Sequence, residues 1–230
     1  MPLVKNIVLV HGAWGDASHW RHVIPLLHAK GYHVSAVQNP LTSLVDDISR
    51  TGSLVAAQDG PTLLVGHSYG GAVITGAGLA PNVVGLVYIA AFAPDEGDSL
   101  GSIFARQAPP SGAASIRPDK EGFLWLDRSS FRDSFGGDLD EADALVMAVT
   151  QKPISGRCFE DQSGVPAWKT KPSWYQVSTR DRMIPPETEQ WMAERIKARK
   201  IVSLDASHAS LVSHASEVAD LIDEAARSLG

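Results

Sequence analysis

The segment Gly66-His67-Ser68-Tyr69-Gly70 places a serine between two glycines, directly after the apolar run Thr62-Leu63-Leu64-Val65 and directly before Gly70-Gly71-Ala72-Val73-Ile74, which reads as the start of a helix. A serine on a sharp strand-to-helix turn presents its hydroxyl above the end of a sheet, and glycines two residues to either side let neighbouring backbone approach without a Cβ clash. A serine hydroxyl is a weak nucleophile until a base takes its proton. Acyl transfer at Ser68 therefore needs three more parts: an imidazole, a carboxylate to orient it, and two N–H donors aimed at the oxyanion of the tetrahedral intermediate.

Eight histidines are available, so residue type alone does not choose the base. On a strand–elbow–helix nucleophile the acid and then the base follow the serine in chain order, which leaves His208 and His214. His208 comes four residues after an apolar run ending at Leu204, in a loop that can carry an imidazole over the sheet, whereas His214 falls inside a helical pattern. His208 is the expected base and His214 an ordinary surface histidine. The expected acid is Asp181, between a strand and a helix in Ser178-Thr179-Arg180-Asp181-Arg182-Met183-Ile184-Pro185. Its neighbours Arg180 and Arg182 could instead make it a surface ion pair, and Asp205 is the alternative acid. The first strand ends in His11-Gly12-Ala13-Trp14-Gly15, a loop of mostly small residues that can offer one oxyanion donor. The expected pair is the backbone N–H of Ala13 and that of Tyr69, the residue after the nucleophile.

A second match, Gly97-Asp98-Ser99-Leu100-Gly101, spells the signature of the Gly-Asp-Ser-Leu esterases, and Asp205-Ala206-Ser207-His208 has the Asp-x-x-His spacing that goes with it. That signature belongs right after the first strand. Here it comes late, Pro94-Asp95-Glu96 separate it from the preceding strand, and no helical pattern follows, so Ser99 reads as a loop residue.

These groups need a scaffold. Short β-branched runs at 6–10, 34–37, 62–65, 83–90, 174–178 and 201–204 alternate with helix-like stretches, the pattern of βαβ units and a parallel sheet. Trp20, Val23, Ile24 and Leu27 have helical spacing, with Pro25 placed to kink or shorten that helix. A helix starts near Pro186, with acidic Glu187 and Glu189 in its first turn and Lys197, Arg199 and Lys200 towards its end, as the helix dipole favours. Leu211, Ala215, Val218, Ile222 and Ala225 mark an amphipathic C-terminal helix. Residues 94–171 break the rhythm: Pro109-Pro110-Ser111-Gly112 lies there, with one clear helix signal where Asp138 and Glu141 have capping-box spacing before Leu145, Val146 and Val149. The expected division is a core of 1–93 and 172–230 with a lid of 94–171.

Composition narrows the class. The 230 residues, 44% hydrophobic and 20% charged, suit one soluble domain with an insertion. A net charge of −6 without a basic patch lacks the footprint of a nucleic-acid binder. No apolar run reaches bilayer length, and the N-terminus lacks signal-peptide features, so a cytoplasmic location is expected. The single cysteine, Cys158, excludes an internal disulfide and reads as inert.

Taken together, His11-Gly12-Ala13-Trp14, Gly66-His67-Ser68-Tyr69-Gly70-Gly71, Asp181-Arg182-Met183-Ile184-Pro185 and the His208 segment resemble the plant methylesterase and hydroxynitrile lyase branch of the α/β hydrolases, which includes small bacterial esterases. The resemblance covers most of the chain and is weakest across 94–171. It implies an α/β-hydrolase fold, a mostly parallel sheet of about six strands flanked by helices, and a cofactor-free enzyme, with no metal, whose apolar pocket lies between core and lid. Lyases of this branch carry Thr where Gly12 stands and Lys where Ala209 stands, so leaving cyanide would lack its cation and ester hydrolysis is favoured. The expected substrate is a small hydrophobic or aryl ester, with Trp14, Trp125, Phe131, Phe135 and Leu145 as candidate pocket residues. Lyase or perhydrolase chemistry on the same triad, or a non-catalytic receptor of the same fold, are the alternatives. A monomer or homodimer, with no membrane or nucleic-acid partner, is expected.

Overall fold

A computed structural model describes residues 4–229. In chain order its elements begin with β1 (Asn6–Val10), α1 (Val23–Ala29), β2 (His33–Ala36), α2 (Leu44–Ala56), β3 (Thr62–His67), α3 (Tyr69–Ala77) and β4 (Val83–Ile89). There follow α4 (Leu100–Phe104), β5 (Ile116–Pro118), β6 (Phe123–Leu126), α5 (Phe131–Phe135), α6 (Glu141–Thr150), β7 (Ile154–Ser155) and α7 (Arg157–Glu160). The chain closes with β8 (Ser173–Ser178), α8 (Pro186–Arg195), β9 (Lys200–Leu204), α9 (Ser210–Ser213) and α10 (Ala215–Arg227).

Six strands form one sheet in the order β2-β1-β3-β4-β8-β9, every pairing parallel. The alternating runs predict such a parallel sheet, and its six strands match the number implied by the resemblance to α/β hydrolases. Helices cover both faces of a parallel sheet, so its inner strands are buried on both faces and mostly apolar. β1, β3 and β8 are buried at every position, while β2 and β9, at the edges, are only partly covered. From β1 the chain first steps outward to β2 and then returns to the other side of β1 with β3. In open α/β sheets the crevice beyond the strand ends at such a reversal is where ligands bind. The loops leaving β1 and β3 carry Ala13 and Ser68, so both candidate groups emerge at that crevice.

Helix details follow local chemistry. α1 starts only at Val23, with Pro25 in its first turn where a missing N–H costs no helical hydrogen bond, and Trp20 belongs to a separate 3-10 turn at Ala17–Trp20. α8 begins with Pro186 but stops at Arg195, so Lys197, Arg199 and Lys200 do not end it; Lys200 already belongs to β9. The helix signal near Asp138 is correct in place and wrong in detail. Asp140 is the N-cap of α6, its carboxylate accepting from the Asp143 amide, and Asp138 reaches elsewhere. A helix also follows Ser99: Ser99 caps α4 in a capping box with Ser102. The five residues of α4 are too few to leave a helical period.

The segment expected to form a lid lies between β4 and β8 and is more ordered than its composition suggests. Three short strands pair antiparallel in the order β5-β6-β7. They contain three, four and two residues, too few for an alternating pattern to stand out. The segment is tied to the core: the Trp14 indole donates to the Leu124 carbonyl at 3.0 Å, and the Ser155 amide donates to the Leu41 carbonyl at 2.8 Å. Cys158 of α7 is fully buried, and burial pushes its thiol up to about 12. Among the described residues no helix is long and apolar enough to cross a membrane.

Candidate active site

Ser68 sits between β3 and α3 with φ 54° and ψ −124°, a backbone conformation that only a tightly packed turn retains in a residue with a side chain. The turn needs its flanking glycines. A Cβ on Gly66 would lie 2.5 Å from the Gly70 carbonyl oxygen, and one on Gly70 would lie 2.5 Å from the Val10 carbonyl oxygen. Without those side chains β1 and α3 close on the turn and push Ser68 towards the crevice.

The structure brings three distant side chains together there. His208 Nε2 lies 2.8 Å from Ser68 Oγ, and His208 Nδ1 lies 2.5 Å from Asp181 Oδ2. The other Asp181 oxygen accepts from the backbone amides of Met183, at 2.6 Å, and Ile184, at 2.9 Å. A carboxylate held by two amides has one free oxygen to present, which orients the imidazole with Nδ1–H towards Asp181 and Nε2 towards Ser68. The neighbouring arginines take other partners: Arg180 pairs with Asp205 at 2.8 Å, and Arg182 pairs with Asp133. Asp181 is therefore not a surface ion pair, and Asp205 is largely exposed. His214 hydrogen-bonds Ser213 Oγ at 2.9 Å, away from the relay. Ser99 is occupied in its helix cap.

Aromatic rings back the imidazole. Phe135 meets His208 edge-on with centroids 4.8 Å apart, and the His67 ring lies 4.8 Å from His208 on another side. His67 Nε2 donates to the His208 carbonyl at 2.8 Å, so its proton sits on Nε2. Burial, reinforced by the nearby His208, holds His67 well below the usual imidazole range. His11 and His19 are also buried and neutral: burial lowers His11 to about 4 and His19 to about 3. His11 Nδ1 donates to the Gly12 carbonyl, and its Nε2 accepts from the Asn39 amide, which fixes the loop after β1.

Ala13 and Tyr69 line the same cavity as Ser68. The Tyr69 side chain is anchored on the far side, its hydroxyl donating to Asp47 Oδ2 at 2.6 Å. Asp47 in turn accepts from the Leu41 amide at 2.9 Å. The cavity holds about 380 Å³ and carries no ionised side chain on its wall. Of the expected pocket residues, Trp14 lines it. Four others do not. The half-buried Trp125 turns its indole N–H to Asp119 at 3.0 Å. Phe131 stacks on Phe135 in the hydrophobic core, and Phe135 serves His208 rather than the cavity. Leu145 is 64% exposed. Their places are taken by Phe92, Phe104, Ile116, Leu124, Phe159 and Met183. Helical and strand spacing separates buried from exposed positions but does not say which buried side chains face a cavity.

Two acids were assigned other roles by sequence. Asp138 accepts from the Ser207 amide at 3.1 Å, from Ser207 Oγ, and from Ser213 Oγ at 2.8 Å, holding both ends of the loop that carries His208. Glu189, read as a dipole-favouring acid, is fully buried. Desolvation and the neighbouring Asp181 raise it well above the usual carboxyl range.

A parallel sheet of this order, with a strained serine elbow where the strand order reverses, defines an α/β hydrolase. The chain belongs to that family: residues 7–221 match the alpha/beta hydrolase family model. A carbendazim hydrolyzing esterase of Nocardioides is 35% identical over 49% of this chain, a match that spans 52%, about half, of that relative. A pyrethroid hydrolase of Sphingobium wenxiniae is 29% identical over 95% of this chain and 86% of its own. Methylesterase 2 of Arabidopsis thaliana is 24% identical over 87% of this chain and 88% of its own, so the likeness to plant methylesterases is met. A crystal structure of a pyrethroid hydrolase superposes with a TM-score of 0.83 at 25% identity, covering 97% of this chain and 98% of that one.

Proposed function

We propose that this chain hydrolyses carboxylic esters of small hydrophobic or aryl type through an acyl-enzyme on Ser68. The observation that carries the reading is the continuous relay Ser68–His208–Asp181 opening into an uncharged cavity of about 380 Å³. Ser68 Oγ attacks the acyl carbonyl while its proton passes to His208 Nε2, and Asp181 stabilises the imidazolium that forms. The amides of Ala13 and Tyr69 hold the oxyanion. His208 then gives the proton to the departing alkoxide. A water molecule, deprotonated by the same imidazole, releases the acid and restores Ser68. The cavity wall offers no cation to a carboxylate or phosphate, so both halves of the ester are uncharged. Relatives named as esterases and as a hydrolase support the reaction class. No cofactor is needed for these steps.

Treatment with a fluorophosphonate followed by peptide mass spectrometry tests the reading. Label on Ser68, with p-nitrophenyl ester hydrolysis that disappears in Ser68→Ala, is expected. Label on Ser99, or none on folded protein, overturns it. Cyanohydrin cleavage outpacing ester hydrolysis would transfer the site to lyase chemistry.

A further inference from the structure

We propose that Glu189 is a positioning residue that holds a proton and donates it in a hydrogen bond to Asp181, extending the relay to Ser68–His208–Asp181–Glu189. The inference deepens the proposed function and rests on its assignment of His208 and Asp181.

The geometry leaves one arrangement. Glu189, in the first turn of α8, is wholly enclosed, and the Asp181 side chain beside it is equally inaccessible. Glu189 Oε2 accepts from the Ser178 amide at 2.9 Å, which makes that oxygen the carbonyl end of a protonated carboxyl. Oε1 is buried and has no hydrogen-bond partner among the described residues, so it is the end free to carry a proton, and Asp181 is the neighbouring carboxylate it can donate to. Two buried carboxyl groups in contact cannot both ionise. Asp181 receives two backbone amides and the imidazole N–H, whereas Glu189 receives one amide. The charge therefore rests on Asp181 and the proton on Glu189, in agreement with the upward displacement of Glu189 by burial and by Asp181.

A neutral donor on Asp181 draws off part of its negative charge. Remove the donor, and Asp181 holds the His208 imidazolium more firmly, so the base stays protonated to higher pH. The other titratable groups here do not change state over this range. Tyr175, which also faces Glu189, is pushed far up by burial. His67 and His19, which face His208, stay neutral down to acid pH because burial lowers them.

Infrared difference spectra and Ser68 labelling rates of wild type, Glu189→Gln and Glu189→Met test the proposal. The wild type at pH 8 should show the C=O stretch of a protonated carboxyl, and Glu189→Gln should lose it. Glu189→Gln, whose amide can still donate to Asp181 and accept from Ser178, should label with fluorophosphonate within about threefold of wild type. On the acid limb Glu189→Met should label at least about threefold more slowly, the fold-change of an acid limb in kcat/KM raised by about half a pH unit or more. A wild type without the band, a Glu189→Gln protein that keeps it, or a Glu189→Met protein with the wild-type rate and limb overturns the proposal. If Glu189→Met does not fold, the Glu189→Gln spectrum still decides. A wild type that shows the band but never labels at Ser68 sinks the hydrolase reading and supports the buried proton.

Discussion

Asp138 grips Ser207, the residue immediately before His208, through both carboxylate oxygens, taking its backbone amide on one and its hydroxyl on the other. The acid comes from the segment between β4 and β8, so the inserted residues help to hold the base. Asp138→Ala should lower kcat on the order of 10- to 100-fold, the scale of a small misplacement of a reacting group. KM should stay within about threefold, because Asp138 does not line the cavity. Steady-state kinetics on a p-nitrophenyl ester separate the two, and an unchanged kcat would show that the loop stands without its anchor.

Asp181→Asn retains size but removes the charge that stabilises an imidazolium and permits the wrong tautomer. In the serine-protease example the equivalent change costs about 10,000-fold in kcat. A loss of that order in a protein with an unaltered circular dichroism spectrum is expected. A loss below about tenfold would move the acid elsewhere.

The cavity wall makes a size prediction. Ile116→Trp fills part of the cavity that Ser68 lines and should reduce kcat/KM for a p-nitrophenyl hexanoate at least about tenfold more than for the acetate. Trp125→Ala and Leu145→Ala, both off the wall, should leave that ratio within about twofold. Equal effects from all three would mean that the ester binds elsewhere.

Gly12 tests the contrast with lyases of this fold. A Cβ there would sit 2.7 Å from Ser68 Cβ and 3.0 Å from the His67 carbonyl oxygen. Gly12→Thr should therefore destabilise the fold by about 1–3 kcal/mol, the usual cost of overpacking, and slow labelling of Ser68. Denaturant melts and labelling rates read these separately.

Acid should unfold the protein early. His11 and His19 are held neutral at about 4 and about 3, while an unfolded chain protonates them near 6.5. The unfolded state then binds more protons, so their contribution is complete above pH 6.5 and is lost progressively as pH falls towards 4. Urea midpoints measured from pH 7.5 to 4 should decline across that window. His11→Asn, which removes one titrating group, should flatten the decline.

The six strands were readable because each carries a short apolar or β-branched run bounded by turn residues, densest in the inner strands that are buried on both faces. Ser68, Asp181 and His208 stood out because each falls just beyond such a strand, where side chains can converge. The strands of the insertion were hidden by their brevity. Asp138 and Glu189 were misread for a shared reason: a helix-start carboxylate looks the same in sequence whether it caps its own helix, faces solvent or turns inward to serve a loop far along the chain. The pocket residues failed similarly, since Phe104 and Phe159 differ from Phe131 and Phe135 only in which side of a packed layer they meet.

The enclosure of Cys158 has a practical reach. Because the chain's single thiol is sealed inside and resists ionisation, maleimide reagents should leave the native protein untouched. Any cysteine introduced on the surface would then be the one attachment point for a fluorophore or spin label, and motions of the insertion could be followed without first deleting a native residue.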